Sequence, residues 1–239
     1  MPTDYVFIHG GLRGGWCWTP TLEAMADQGH PRLDRMIAPD MPGHGDYKDA
    51  SPEDCTIGGY VQTAVDAILE HDLRNIVMVG HSFAGLTMPY IAQRLPDRMR
   101  RVMFMACVVP PEGDSLDDLL AAMGKSTPEG VKDRETRWAR EWDLERSAKR
   151  LGSRERAQWL LENLNKENAK QLPRPSGEKI YRDGFAGLVP LTWVLTVRDR
   201  AFLPRWQLKF REWLGGDEVG LEELDAAHDA MISQPRALA

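Results

Sequence analysis

The chain is poor in cysteine, with three in 239 residues: Cys17, Cys55 and Cys107. They are scattered and show no C-x-x-C spacing. That excludes a disulfide-stapled scaffold and a thiolate zinc site, and it sets the expectation of a reducing, cytoplasmic compartment. Long hydrophobic runs are also missing. The most apolar stretch, V-M-F-M-A-C-V-V from Val102, is far shorter than the roughly 20 residues that cross a bilayer, so it reads as a buried strand. No basic segment followed by an apolar one opens the sequence, and no signal peptide is expected. A basic excess is absent as well. Thirty Lys and Arg against 36 Asp and Glu leave a net charge of −6, which gives no electrostatic reason to seek nucleic acid or a membrane surface. No pair of histidines has metal-ligand spacing, so no metal is expected.

What is present is a rhythm of strands and helices. Short apolar runs at Tyr5–Ile8, Arg35–Pro39, Ile76–Val79 and Arg101–Val108 read as strands. Helices are expected between them. Thr19–Gln28 has Pro20 in its first turn and Gly29 as a stop. Ile57–Leu73 places Val61, Val65, Ile68 and Leu69 on one face, and Leu86–Arg94 ends before Pro96. This alternation implies a parallel sheet covered on both faces. From Pro110 to Gly187 the rhythm stops, and Leu116–Met123, Glu135–Arg150 and Arg154–Leu164 read as polar helices above the sheet. The rhythm then resumes with a strand at Leu191–Val197, a helix at Pro204–Leu214 and a strand at Val219–Leu224. Only a stub of helix follows. The expected architecture is an α/β core domain of residues 1–109 and 188–239, with a helical cap inserted at 110–187. Its sheet is mostly parallel, of about six strands, ordered second, first, third, fourth, fifth, sixth.

In such a sheet the loops at the carboxyl ends of the strands share one edge and build the site. The first strand ends in His9-Gly10-Gly11. The third runs into V-G-H-S-F-A-G, which places Ser82 on a sharp turn into a helix. The resumed strand ends in T-V-R-D, giving Asp199, and the last ends at His228. The chain order serine, aspartate, histidine is that of an α/β-hydrolase triad. A serine hydroxyl needs a base within hydrogen-bond reach, here His228. The imidazole needs a carboxylate to fix its tautomer, here Asp199, with Asp225 a rival three residues before the histidine. A tetrahedral oxyanion needs backbone N–H donors, each worth roughly 3–4 kcal/mol. Phe83, after the serine, supplies one, and Gly11 is the candidate for the other. One departure stands out: the G-x-S-x-G pattern carries Ala84 in its last place, with Gly85 one residue late.

These residues resemble the α/β-hydrolase superfamily over essentially the whole length, and within it the branch of small esterases and hydroxynitrile lyases. The resemblance is carried by F-I-H-G-G-L-R-G-G-W-C-W, D-M-P-G-H-G, V-G-H-S-F-A-G, L-T-V-R-D-R-A-F-L-P and A-H-D-A-M-I-S-Q-P. It implies an α/β-hydrolase fold, a helical cap and no cofactor, and it allows a homodimer. The lyases of this branch carry threonine at the place of Gly10 and lysine at the place of Asp229. Their absence argues against cyanohydrin chemistry and leaves hydrolysis of a small-to-medium, apolar or aromatic ester or lactone through an acyl-enzyme on Ser82. Carbon–carbon hydrolases, cofactor-free oxygenases and ligand-binding receptors share the fold, so the fold alone does not name the reaction.

The remaining candidates each have a plainer reading. The resemblance makes His9 a structural organiser of the oxyanion loop; His44 reads as an organiser of its glycine-rich turn, and His81 as a packed neighbour of the nucleophile. Cys107 reads as an inert buried thiol, and Arg198 and Arg200 as surface partners. Gly10, Leu12, Trp138, Trp142 and Trp159 are candidate substrate contacts, although tryptophans at helical spacing also serve to dock a cap.

Overall fold

The computed structural model describes residues 2–30, 32–124, 143–164 and 177–239. Its frame is a six-stranded sheet: β1 (Asp4–Ile8), β2 (Met36–Ile37), β3 (Ile76–His81), β4 (Met99–Met105), β5 (Leu191–Thr196) and β6 (Gly220–Leu224). The strand order is β2-β1-β3-β4-β5-β6, and every neighbouring pair is parallel. This is the expected order. The chain reverses direction across the sheet between β1 and β3, so the loops leaving those two strands diverge over a shared crevice.

Strand alternation explains how one sheet holds two cores. Val6 and Ile8 of β1, Met78 of β3 and Phe104 of β4 face one layer. Phe7, Val77, Val79 and Met105 face the other. All six residues of β3 and all six of β5 are buried, as expected of strands covered on both sides. We number the helices α1 (Thr19–Asp27), α2 (Ile57–Glu70), α3 (Met88–Arg94), α4 (Leu116–Ala122), α5 (Leu144–Leu151), α6 (Arg154–Asn163), α7 (Pro204–Leu214), α8 (Ala230–Ser233) and α9 (Pro235–Leu238). Helix α2 buries Val61, Val65 and Ile68 and is capped by Thr56, whose side chain accepts the Gly59 N–H. Helix α4 opens on a capping box of Ser115 and Asp118.

Several boundaries depart from the sequence reading. The second strand is cut to Met36–Ile37. The fourth ends at Met105, because Ala106 takes a left-handed φ of +48° and turns the chain out of the sheet. The expected helix Leu86–Arg94 is preceded by a 3-10 turn at Ser82–Leu86, and α3 proper begins at Met88. Ala84 therefore sits in the 3-10 turn and not in the first turn of an α-helix.

Between β4 and β5 the described residues hold α4, α5 and α6, together with an isolated bridge from Ser115 to Lys179. Gly152, at φ +71°, ends α5, and Ser153 caps α6 by accepting the Arg156 N–H. Leu151, Ala157 and Leu160 join the same buried cluster as Phe7 and Trp18. Trp159 rests edge-on against Trp16, with ring centroids 5.2 Å apart. Trp138 and Trp142 lie outside the described residues, as does the first half of the expected helix Glu135–Arg150. Among the described residues, no helix is long and apolar enough to cross a membrane.

Candidate active site

The turn after β3 is built under strain. Ser82 has φ +53°, a conformation that costs a non-glycine residue energy and persists only where the surroundings impose it. Three contacts impose it here. A Cβ added at Gly80 would lie 2.3 Å from Met88 Sδ and 2.9 Å from the Ala84 Cβ, so only glycine fits before the turn. A Cβ at Gly85 would lie 2.3 Å from the Val108 carbonyl oxygen. The Val108 N–H donates to the Ser82 carbonyl at 2.9 Å. The segment that leaves β4 at Ala106 thus runs directly beneath the serine turn. The close backbone approach falls at Gly85, which leaves room for the buried methyl of Ala84.

The structure brings Ser82, His228 and Asp199 together from three strand ends. His228 Nε2 lies 3.1 Å from Ser82 Oγ, and His228 Nδ1 lies 2.7 Å from Asp199 Oδ2. A carboxylate only accepts, so Nδ1 carries the proton and Nε2 is left to accept from the serine hydroxyl. Asp199 is buried and its oxygens are saturated. Oδ1 accepts the N–H groups of Ala201 and Phe202 at 2.7 and 3.0 Å, and Oδ2 also accepts from Thr196 Oγ1 and Gln207 Nε2 at 3.1 and 3.3 Å. The imidazole is held between rings, with centroids 4.6 Å from His81 and 5.7 Å from Phe202. The rival Asp225 is exposed and pairs with Arg198 at 2.7 Å.

The loop after β1 lies against this turn. A Cβ at Gly10 would be 2.9 Å from the Ser82 Cβ and 2.8 Å from His81 Nδ1. Two buried histidines set the loop. His9 Nε2 accepts the Met41 N–H at 3.0 Å, so its Nδ1–H donates to the Gly10 carbonyl at 2.8 Å. Burial, with the nearby His44 second, pushes the His9 pKa down to about 3, which keeps the ring neutral in this one tautomer. His44 Nε2 accepts the Leu12 N–H at 3.2 Å, and its Nδ1–H donates to Pro42. A trans peptide points its carbonyl and N–H in opposite directions. With the Gly10 carbonyl held by His9, the Gly11 N–H is turned away from it, and it donates to no acceptor among the described residues. The Phe83 N–H belongs to the first turn of the 3-10 segment, where no intrahelical acceptor exists. Gly11 and Phe83 line one small apolar cavity with Ile8, Met41 and Tyr60.

His81 is buried, and its Nε2–H donates to the His228 carbonyl at 3.0 Å. Burial and the neighbouring His228 push its pKa well below the usual value, so it stays neutral. Cys107 is buried with its Sγ 3.2 Å from the Gly80 carbonyl, and burial raises its pKa. Leu12 adopts φ +65° beside Gly11. Among the described residues no cluster of ligating side chains could hold a metal.

The sequence reading assigned no role in the site to four residues here. Thr196 and Gln207 back the carboxylate; Gln207 sits on α7, eight positions past Asp199, and no motif flags it. Arg13 and Asp229 pair with each other. Their signal was in the sequence as opposite charges inside two of the quoted motifs.

Known proteins match along the same lines. The sequence profile of the alpha/beta hydrolase family matches residues 5–239. A carbendazim-hydrolysing esterase of Nocardioides sp. is 30% identical over 128 residues, 54% of this chain and 50% of that protein, so the match spans half of that relative's length. A probable esterase, PIR7A, of Oryza sativa subsp. indica is 27% identical over 253 residues, covering 98% of this chain and 93% of that protein. The crystal structure of polyneuridine aldehyde esterase superposes with a TM-score of 0.73 at 18% identity, over 100% of this chain and 96% of that one. An extracellular alpha/beta-hydrolase from a Paenibacillus species gives 0.72 at 23%, over 99% and 96%. The chain belongs to the alpha/beta hydrolase family.

Proposed function

We propose that the protein is a serine esterase that cleaves a small-to-medium, apolar or aromatic carboxylic ester or lactone, with Ser82 as nucleophile, His228 as base and Asp199 as its orienting acid. The observation that carries this reading is the continuous hydrogen-bonded line from Ser82 Oγ through His228 to Asp199 Oδ2, beside two uncommitted amides at Gly11 and Phe83. The esterases among its relatives support it.

The chemistry follows from the atoms. Ser82 Oγ attacks the ester carbonyl carbon while its proton passes to His228 Nε2. The carbonyl oxygen becomes an oxyanion held by the Gly11 and Phe83 N–H groups. The C–O bond breaks, and the leaving alkoxide takes the proton from His228. Water then attacks the acyl-enzyme, giving one proton to His228, and collapse of the second intermediate releases the acid and returns that proton to Ser82 Oγ. The apolar surroundings of the two amides, with Tyr60 T-shaped to Phe83 at 6.4 Å between centroids, favour an apolar acyl group. The segment of residues 110–187 is the proposed cap over this crevice.

The test is direct. Ser82→Ala abolishes turnover of short p-nitrophenyl esters and labelling by a fluorophosphonate, and wild type in labelled water incorporates one labelled oxygen into the acid product. Retained turnover in Ser82→Ala refutes the nucleophile, and an unlabelled acid refutes hydrolysis.

A further inference from the structure

Two charged residues outside the triad are packed together beneath the site. Asp229 follows His228 directly, and Arg13 lies two positions past Gly11. Their side chains are 6% and 15% exposed. Arg13 Nε and Nη2 both reach Asp229 Oδ1, at 2.8 and 2.7 Å. Its remaining arm, Nη1, donates to the Gly11 carbonyl at 2.8 Å. Burial alone would raise the Asp229 pKa, but the charge and hydrogen bond of Arg13 hold it well below the usual carboxylate range, so the pair is ionised.

A buried ion pair is weak as a stabilising device, since apolar residues of similar volume often do as well. The position of this one is more informative. The Gly11 carbonyl belongs to the Gly11–Leu12 peptide, and the N–H of that peptide is held by His44 Nε2 at 3.2 Å. Arg13 and His44 therefore pin one peptide plane at both ends, and the Gly11 N–H extends from the neighbouring plane. Packing does not fix Gly11, because a Cβ built there meets nothing within 4 Å. Glycine backbone is also free to rotate. The His9 bond to the Gly10 carbonyl and the Arg13 bond to the Gly11 carbonyl thus set the planes on either side of Gly11, and the second reaches through Arg13 to the residue beside the base.

We infer that Arg13 and Asp229 are a positioning pair, which fixes the oxyanion-holding amide of Gly11 relative to His228. The inference rests on the esterase reading above. It assigns the pair a role that appears in kcat and spares substrate binding. Lysine at position 13 can keep the charge contact with Asp229, but a single ammonium cannot hold Asp229 and the Gly11 carbonyl in the fixed fork of a guanidinium.

A mutant cycle of Arg13→Met, Asp229→Leu, the double variant and Arg13→Lys tests this, with melting temperature, kcat and KM for p-nitrophenyl acetate, and the ratio of kcat/KM for that ester over its thionoacetate. Each single apolar variant strands a buried charge and melts lower, and the double variant recovers much of the melting temperature. If the pair positions the amide, kcat stays about 10- to 100-fold down in the double variant and in Arg13→Lys, with KM within about threefold. The oxygen-over-sulfur ratio falls too, because a misplaced amide loses its preference for the oxyanion. The inference is overturned if kcat recovers together with melting temperature, or if the oxygen-over-sulfur ratio stays at the wild-type value. A wild-type enzyme that turns over no ester and takes no fluorophosphonate at Ser82 refutes the esterase reading itself, which separates the two failures.

Discussion

Replacing Asp199 by asparagine puts the proposed triad under a test whose size follows from the hydrogen bonds. The carboxylate takes two backbone N–H groups on Oδ1 and the His228 Nδ1–H on Oδ2. Asparagine must put its NH2 on one side or the other. Facing Ala201 and Phe202, it opposes two N–H donors at 2.7 and 3.0 Å, leaving half-buried donors unmade at up to about 1–3 kcal/mol each. Facing His228, it keeps both backbone bonds through its carbonyl oxygen but donates to Nδ1. The imidazole proton then moves to Nε2, and that nitrogen can no longer accept from Ser82. The second arrangement is the less costly one and disables the base. Restoring the productive tautomer means breaking both backbone bonds, and the stabilising negative charge is lost in either case. Together these place the loss in kcat at about 10³- to 10⁴-fold, equivalent to about 4–5.5 kcal/mol. Initial rates with p-nitrophenyl acetate near neutral pH measure it, with a thermal melt to show that the fold is intact. A folded Asp199→Asn enzyme within about tenfold of wild type would refute the assignment of Asp199 as the orienting acid.

Further outcomes follow from the serine turn and from the neutral histidines. Ala84→Gly leaves kcat nearly unchanged, because the close backbone approach falls at Gly85. Ala84→Val crowds the buried space beside Gly80 and Met88, lowering stability by about 1–3 kcal/mol, which a chemical denaturation curve reads. Stability also falls on the acid side. His9 and His81 both have pKa values lowered in the folded state, chiefly by burial, so the unfolded chain takes up their protons first. The stability they contribute is fully present above their unfolded value of about 6.5 and is lost as pH falls from there toward their folded values. The melting temperature therefore drops steadily below about pH 6.5. His9→Gln shows a shallower slope over that range, and an unchanged slope would contradict the burial of a neutral His9.

Much of this protein is legible in its sequence. The alternation of apolar runs with amphipathic ones makes a parallel sheet with two covered faces, and connection rules leave few strand orders open. The carboxyl ends of the strands can then be read off directly, and they carry Ser82, Asp199 and His228. The family resemblance pointed to His9 as an organiser of the loop after the first strand, and His44, in its glycine-rich turn, read as a loop organiser as well. Boundaries were less legible. The turn at Ser82–Leu86 winds as a 3-10 segment and β4 stops at Met105 because the two segments pass over each other, a contact between residues more than 20 positions apart.

Periodicity and turn chemistry are local properties, and with the quoted motifs they were enough to read the fold and a candidate triad in its chain order, with Asp225 left as a rival acid. Packing between distant segments settles which carboxylate faces His228, how Gln207 backs Asp199, and that Arg13 ties Asp229 to the Gly11 carbonyl. Those facts depend on angstrom-scale distances between segments as far as 216 residues apart, and no local pattern encodes such distances. The same reason settles Ala84. Its missing glycine is harmless because the Val108 carbonyl, from a different strand end, crowds the next residue instead.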